Sequence, residues 1–197
     1  MNKSRLLLLI FSLSGLSIAQ TLSNVEIINK LVDKSITRID SSLDNHKEKI
    51  PVILSIPLPL DQLKTKIIQS FQTKGYSVNP TNPEAPYLNY ALTNVSVLYE
   101  DSFTDGLFGD LKTGRKIKYD GSYFIARPEG DASPILFNFN SYDTVKVDNI
   151  PILENPSLPF TQSKIPQPPI LSNLMEPIIV VGTLITTIIL LFTVRSK

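Results

Sequence analysis

Side chains able to do chemistry are few in this 197-residue sequence, and their spacing serves none of the common mechanisms. It holds one histidine, His46, and no cysteine. His46 stands among Lys47, Glu48 and Lys49. A zinc site needs three or four ligands brought together, and a general base needs a pocket and an orienting partner. Neither is in view, so His46 reads as a surface residue at a helix end. Ser-His and Cys-His nucleophilic pairs have no parts here. No metal and no cofactor are expected.

The richest segment is EDSFTDGLFGDLKTGRK, residues 100–116. Its carboxylates do not follow the D-x-[DN]-x-[DN]-G order of a calcium loop, and its glycines and lysines do not follow that of a phosphate loop. Asp101, Asp105 and Asp110 are the acids that a glycan-cleaving site would have to pair across about 5–10 Å. Phe103 precedes the turn dipeptide Asp105-Gly106. Leu107 and Phe108 lie between it and a second one, Gly109-Asp110. Loop tips are ordinarily polar, so apolar residues there need a reason. Either they cap the sheet, or Phe103, Leu107 and Phe108 form a contact for a partner or a lipid surface.

The elements that position these residues follow from periodicity. Over residues 23–44, Val25, Ile28, Val32, Ile36, Ile39 and Leu43 recur at three- and four-residue steps, a helix with one apolar stripe. Ser23 with Glu26 three residues on has the form of a capping box. Val52 to Ile56 reads as a buried strand between prolines. A second helix runs from about Asp61 to Lys74, with Leu60, Leu63, Ile67, Ile68 and Phe71 inward, and Gly75 suits its C′ position. Tyr76 to Val78 is expected as a strand, completing a parallel strand–helix–strand unit. Beyond the polar loop 79–86 the period becomes two: Val95, Val97 and Tyr99; Ile117, Tyr119, Gly121, Tyr123 and Ile125; Ile135, Phe137 and Phe139. Three such strands with turn signals between them read as an antiparallel meander. The triplet Asn94-Val95-Ser96 matches the glycosylation sequon, a pattern short enough to recur by chance. From Ile150 prolines punctuate the chain and periodicity stops, which predicts an extended stalk reaching up to roughly 80 Å, while the apolar Ile152, Leu153, Leu158 and Phe160 leave open that part of it lies along the domain.

Both ends are apolar. Lys3 and Arg5, the run Leu6 to Leu13, and Ser17 with Ala19 form a signal-peptide pattern with cleavage before Gln20. The uncharged stretch IIVVGTLITTIILLFTV, residues 178–194, covers roughly 26 Å of a hydrocarbon core about 30 Å thick. Arg195 and Lys197 follow it, and the positive-inside rule puts them in the cytoplasm. A cut sorting signal is the other reading of that tail. Gly182 and Thr186 make a small-x-x-x-small pair that permits two spans to approach closely.

The expected organisation is a signal peptide (1–19), an extracytoplasmic domain (20–149), a Pro-rich stalk (150–176), a transmembrane helix (177–194) and a cytoplasmic tail (195–197). The expected fold is α+β: a mixed, mainly antiparallel sheet of about five strands with two amphipathic helices on one face. Nineteen basic against eighteen acidic residues give a net charge of +1, so nothing draws the chain to nucleic acid. Export without cysteine excludes a disulfide framework and, with the Lys/Asn/Ile-rich composition, points to a bacterial envelope, periplasmic side. The function expected is a non-enzymatic, single-pass type I membrane module that binds an envelope protein or scaffolds an envelope complex. Its partners would be the membrane, that protein and, through the span, a second copy. The alternatives are a carboxylate enzyme acting on envelope glycan, and a carrier of an apolar ligand.

Overall fold

A computed structural model describes residues 21–43, 50–80, 86–106, 109–128, 130, 133–169 and 172–195. Helix α1 spans Asn24–Ser42 and begins on the expected capping box: the Ser23 hydroxyl accepts from the Glu26 N–H, and the Glu26 carboxylate accepts from the Ser23 N–H at 2.7 Å. Hydrogen bonds donated to it by the Ser23 N–H and hydroxyl hold the Glu26 carboxyl below its ordinary pKa. The buried stripe is wider than the spacing from Val25 to Leu43 predicts. Ile27, Leu31 and Ser35 join Ile28, Val32, Ile36 and Ile39, whereas Val25 is only half-buried. A face this broad is a core face, not a narrow seam for a partner helix.

Strand β1 is Val52–Ser55, and a 3₁₀ turn at Leu58–Leu63 leads into α2, Lys64–Thr73. The end of α2 is a Schellman motif. The Gly75 N–H donates to the Gln72 carbonyl and the Tyr76 N–H to that of Phe71, with Gly75 at φ +86°. The ring of Tyr76 meets that of Phe71 edge-on at 5.6 Å, the apolar contact that accompanies this cap. The strand expected at Tyr76 to Val78 contracts to one parallel bridge, Val52 with Val78. Asn79 turns left-handed at φ 49°, and its side-chain carbonyl accepts from the Leu54 N–H, where a continuing strand would have paired. The described sheet therefore has four strands, not five.

Strands β2 (Tyr87–Thr104), β3 (Leu111–Ala126) and β4 (Ile135–Lys146) form the expected meander, in order β1-β2-β3-β4 with β1 parallel to β2. They are long, at 18, 16 and 12 residues. Two register shifts in β2, between Leu92 and Asn94 and between Tyr99 and Ser102, keep its apolar side chains on the helix side. The core lies between the sheet and the two helices. Phe137 stacks on Tyr90 and Tyr119 at 5.4 and 6.0 Å, and Phe71 meets Tyr90 edge-on. Gly121 faces Phe137 across the β3–β4 pair, and a Cβ there would lie 2.4 Å from the Phe137 ring and from the Ala91 carbonyl.

Beyond β4 the chain does not leave the domain at once. A 3₁₀ turn (Val147–Asn149), the one-turn helix α3 (Ile150–Leu153) and a 3₁₀ turn at Pro159–Thr161 return it to the sheet. Ile150, Leu153 and Phe160 belong to the same buried cluster as the strands. Two of the prolines that predict a stalk, Pro151 and Pro159, sit at the first positions of these turns, where no N–H is needed. Helix α4, Ser172–Arg195, begins five residues before Pro177. Its window Pro177–Val194 is long and apolar enough to cross a membrane and is exposed throughout.

Candidate functional site

Three regions carry organised polar chemistry or exposed apolar surface. The first is inside the domain. Arg115 is fully buried, on the helix side of β3. Its Nε donates to Asp143 at 2.8 Å, and its Nη1 donates to the Leu22 carbonyl and to the Asn24 side-chain carbonyl at 2.9 and 2.7 Å. The Asn24 amide then donates to the Tyr99 hydroxyl at 2.9 Å and to the Thr161 carbonyl at 2.7 Å. One guanidinium thus ties the start of α1, strands β2, β3 and β4, and the C-terminal segment. Burial, against the pull of the Asn24 hydrogen bond, pushes the Tyr99 pKa up to about 12. A buried arginine fully committed to protein partners is a structural hub. The segment reading treated Arg115 as part of a loop. The two-residue alternation of Ile117 and Tyr119, continued one step back, places it inward.

A second buried group joins Ser35, Tyr90 and Tyr119, with hydroxyls 3.1 and 2.6 Å apart. Burial raises both tyrosine pKa values, that of Tyr90 to about 12. Neither hydroxyl lines either of two grooves seen among the described residues. One, of about 390 Å³, runs between α1 and α2 past Asp33, Lys66 and Ser70. The other, of about 330 Å³, lies among Pro57, Pro59, Asn94, Pro159 and Phe160. Between helices and sheet the space is filled by aromatic stacking. A carrier would need a dry pocket there.

The third region is the uncovered side of the sheet. Asn94, Asp120 and Asn138 stand abreast on β2, β3 and β4, and the Asn94 and Asn138 amides both donate to the Asp120 carboxylate. Asn140 extends the row to Asn138 at 2.6 Å. Nearer the β2–β3 hairpin, Tyr142 donates to Glu100 at 2.9 Å over Gly114, whose missing side chain leaves the room. Lys116 and Lys118 lie between these rows. Strand β4 is the open edge. Its 12 residues pair with β3 without a register shift, and its far side has no strand partner among the described residues. Leu136 and Tyr142 on it are exposed.

Of the residues singled out in the sequence, Phe103 lies at the end of β2 on the uncovered side, 46% exposed and opposite Lys112. Leu107, Phe108 and His46 lie outside the described residues, as does the signal-peptide pattern. Asp105 pairs with Lys112, and Asp110 with Lys146 at 2.7 Å. The hydrogen bond from Lys112 holds the Asp105 carboxyl below its ordinary value. A glycosidase acid needs the opposite shift. Gly182 and Thr186 share a face of α4, where the Thr186 hydroxyl donates back to the Gly182 carbonyl at 2.8 Å. Around Gly182 the space is open.

No protein family and no curated protein matches the chain. Among solved structures it is similar to the minor lipoprotein of Acinetobacter baumannii, with 11% identity over 51% of this chain and 69% of that one and a TM-score of 0.36. It is also similar to rare lipoprotein B of Shewanella oneidensis, with 11% identity over 74% of this chain and 93% of that one and a TM-score of 0.34.

Proposed function

We propose that this chain is a non-enzymatic module of a bacterial cell envelope, anchored by one C-terminal span in type I orientation, that binds a protein partner or scaffolds an envelope complex. The observation that carries the reading is the edge of β4, which has no strand partner among the described residues, beside the uncovered face of the sheet, on a domain joined to an apolar helix. Edge strands are ordinarily blunted by proline, bulges or inward charges, because their free N–H and C=O groups template pairing with another chain. Between Ile135 and Lys146 there is no proline and no bulge, and the inward charge Asp143 is neutralised by Arg115. Such an edge suits strand addition by a partner.

The test is photo-cross-linking in intact cells from single positions. Asn138 and Asn140, on the edge, are compared with Gln69 on the exposed side of α2. One discrete adduct from the β4 positions and none from Gln69 is the expected outcome. No adduct from any β4 position would remove the reading. Self-association through the span, with Gly182 and Thr186 at the contact, belongs to the same proposal. A Gly182→Leu chain should then lose its dimer band in detergent while the domain stays folded.

A further inference from the structure

The C-terminal segment sets how far the domain can stand from the membrane. The chain is held at Thr161, beside Tyr99 through Asn24, and again at Gln167, whose carbonyl accepts from the Ser102 hydroxyl at 2.6 Å. From Thr161 to Gln167 it therefore runs along β2 toward the β2–β3 hairpin end. Only residues 168–171 separate Gln167 from the start of α4 at Ser172. Five Cα steps reach at most about 19 Å even when fully extended. The turns of α4 before Pro177 add roughly 8 Å. The headgroup layer itself occupies about 5–7 Å outside the hydrocarbon core. The hairpin end overhangs the point of attachment, because β2 continues to Thr104 and β3 begins at Leu111. Leu22, held by Arg115, also lies toward this end of the long axis, so both chain exits from the domain are on the same side.

We infer that the β2–β3 end of the sheet rests on the lipid headgroup layer of the membrane that α4 crosses, with Phe103 and Ile165 as its apolar contacts. The occupant is lipid because the tether brings that end to the bilayer before any other surface of the domain. Phe103 is 46% exposed and Ile165 43%, and both flank the attachment at Ser102 and Gln167. Phenylalanine and isoleucine contribute there by burying apolar surface at the headgroup–acyl boundary. Charge does not drive the contact: at this end the acids Glu100, Asp101, Asp105 and Asp110 still outnumber the bases Lys112, Lys146 and Lys164. The tether confines that end to within roughly 20 Å of the headgroup layer, and apolar side chains make the contact, so anionic lipid should not strengthen it.

The absence of cysteine makes the test clean. The full chain is placed in nanodiscs of phosphatidylcholine, with and without phosphatidylglycerol, and carries one fluorophore on Phe103→Cys or on Leu136→Cys. Leu136 is 81% exposed and apolar but sits at the opposite end of the sheet, across from Ser122. Lipids with a headgroup-level quencher should quench the probe at position 103 several-fold more than at 136, equally in both lipid mixtures. Equal quenching at the two positions, or none at 103, would overturn the inference. No partner protein is present in the nanodiscs, so the result is independent of the reading of the β4 edge. Each variant is checked for the melting temperature of the parent chain, and Ile165→Cys serves as a second site where Phe103→Cys fails that check.

Discussion

At the scale of single residues, two glycines separate by what surrounds them. An added Cβ at Gly121 meets the Ala91 carbonyl and the Phe137 ring at 2.4 Å, backbone and packed aromatic core that cannot move aside. At Gly114 it meets the Tyr142 hydroxyl and a Glu100 oxygen, the ends of exposed side chains. Gly121→Ala should therefore cost about 1–3 kcal/mol, the range for overpacking. Gly114→Ala should cost under about 1 kcal/mol, since it breaks one exposed hydrogen bond. Urea titration of residues 21–169 measures both. Arg115→Met keeps bulk but leaves the Leu22 and Asn24 carbonyls without their donor. A loss of about 2–4 kcal/mol is expected from those buried acceptors. The same fragment should lose stability at both extremes of pH. Burial pushes the Asp33 carboxyl up, but hydrogen bonds from Lys66 and Ser70 outweigh it and hold its pKa below the ordinary 3.8. Its contribution is present above that value and lost as pH falls through the lowered pKa. It is small, because the pair is half exposed. Tyr90 acts at the other end: raised to about 12, it favours the fold fully below pH 10, and that support is lost as pH rises from 10 toward 12. Tyr90→Phe should flatten the alkaline limb of a plot of melting temperature against pH, and Asp33→Asn the acid limb.

At the scale of elements, legibility in the sequence tracks how local the cause is. Helix α1, its capping box, the Gly75 cap and the three-strand meander follow from spacing, because each depends on residues a few positions apart. The strand at Tyr76 to Val78 does not survive, because it is decided by the left-handed turn at Asn79 and by its hydrogen bond to Leu54, 25 residues away. The inward place of Arg115 required carrying the alternation through a segment whose charges argue for a loop. Of the candidate contact, the sequence leaves open whether Phe103 caps the sheet or is exposed, and it is 46% exposed; the open edge of β4 is not legible, because a strand's neighbours are a property of topology, not of its own residues. Residues 150–161 are the clearest case. Their prolines predict a stalk and only their apolar side chains point to packing on the domain; Ile150, Leu153 and Phe160 complete the core and Thr161 accepts from Asn24. A fragment of residues 21–149 should consequently be less stable than one of residues 21–169 by roughly 5 kcal/mol, the scale of burying three large apolar side chains. Thermal melts of the two fragments check this, and equal melting temperatures would mean that the segment is an ornament on a finished domain.

At the scale of the whole molecule, the domain and the apolar helix differ in what their surroundings must supply. The domain satisfies its own polar interior: among the described residues no buried side-chain nitrogen or oxygen lacks a partner. Helix α4 presents an uncharged apolar surface on every side from Pro177 to Val194, with none of it packed against the domain. A helix apolar all round and left unpacked is long and apolar enough to cross a membrane. Cutting the chain at Pro169 removes α4 and leaves intact the contacts of Thr161 and of Gln167 with the domain. The truncated chain should melt cooperatively and stay in the supernatant after carbonate treatment of membranes, whereas the full chain should remain in the pellet. Recovery of the full chain in the supernatant would show that α4 is covered by protein in the cell. A truncated chain that still sediments with protein-free vesicles would show instead that the hairpin end binds lipid without its tether, a stronger surface than Phe103 and Ile165 provide, since one or two partly exposed side chains contribute only about 1–3 kcal/mol each.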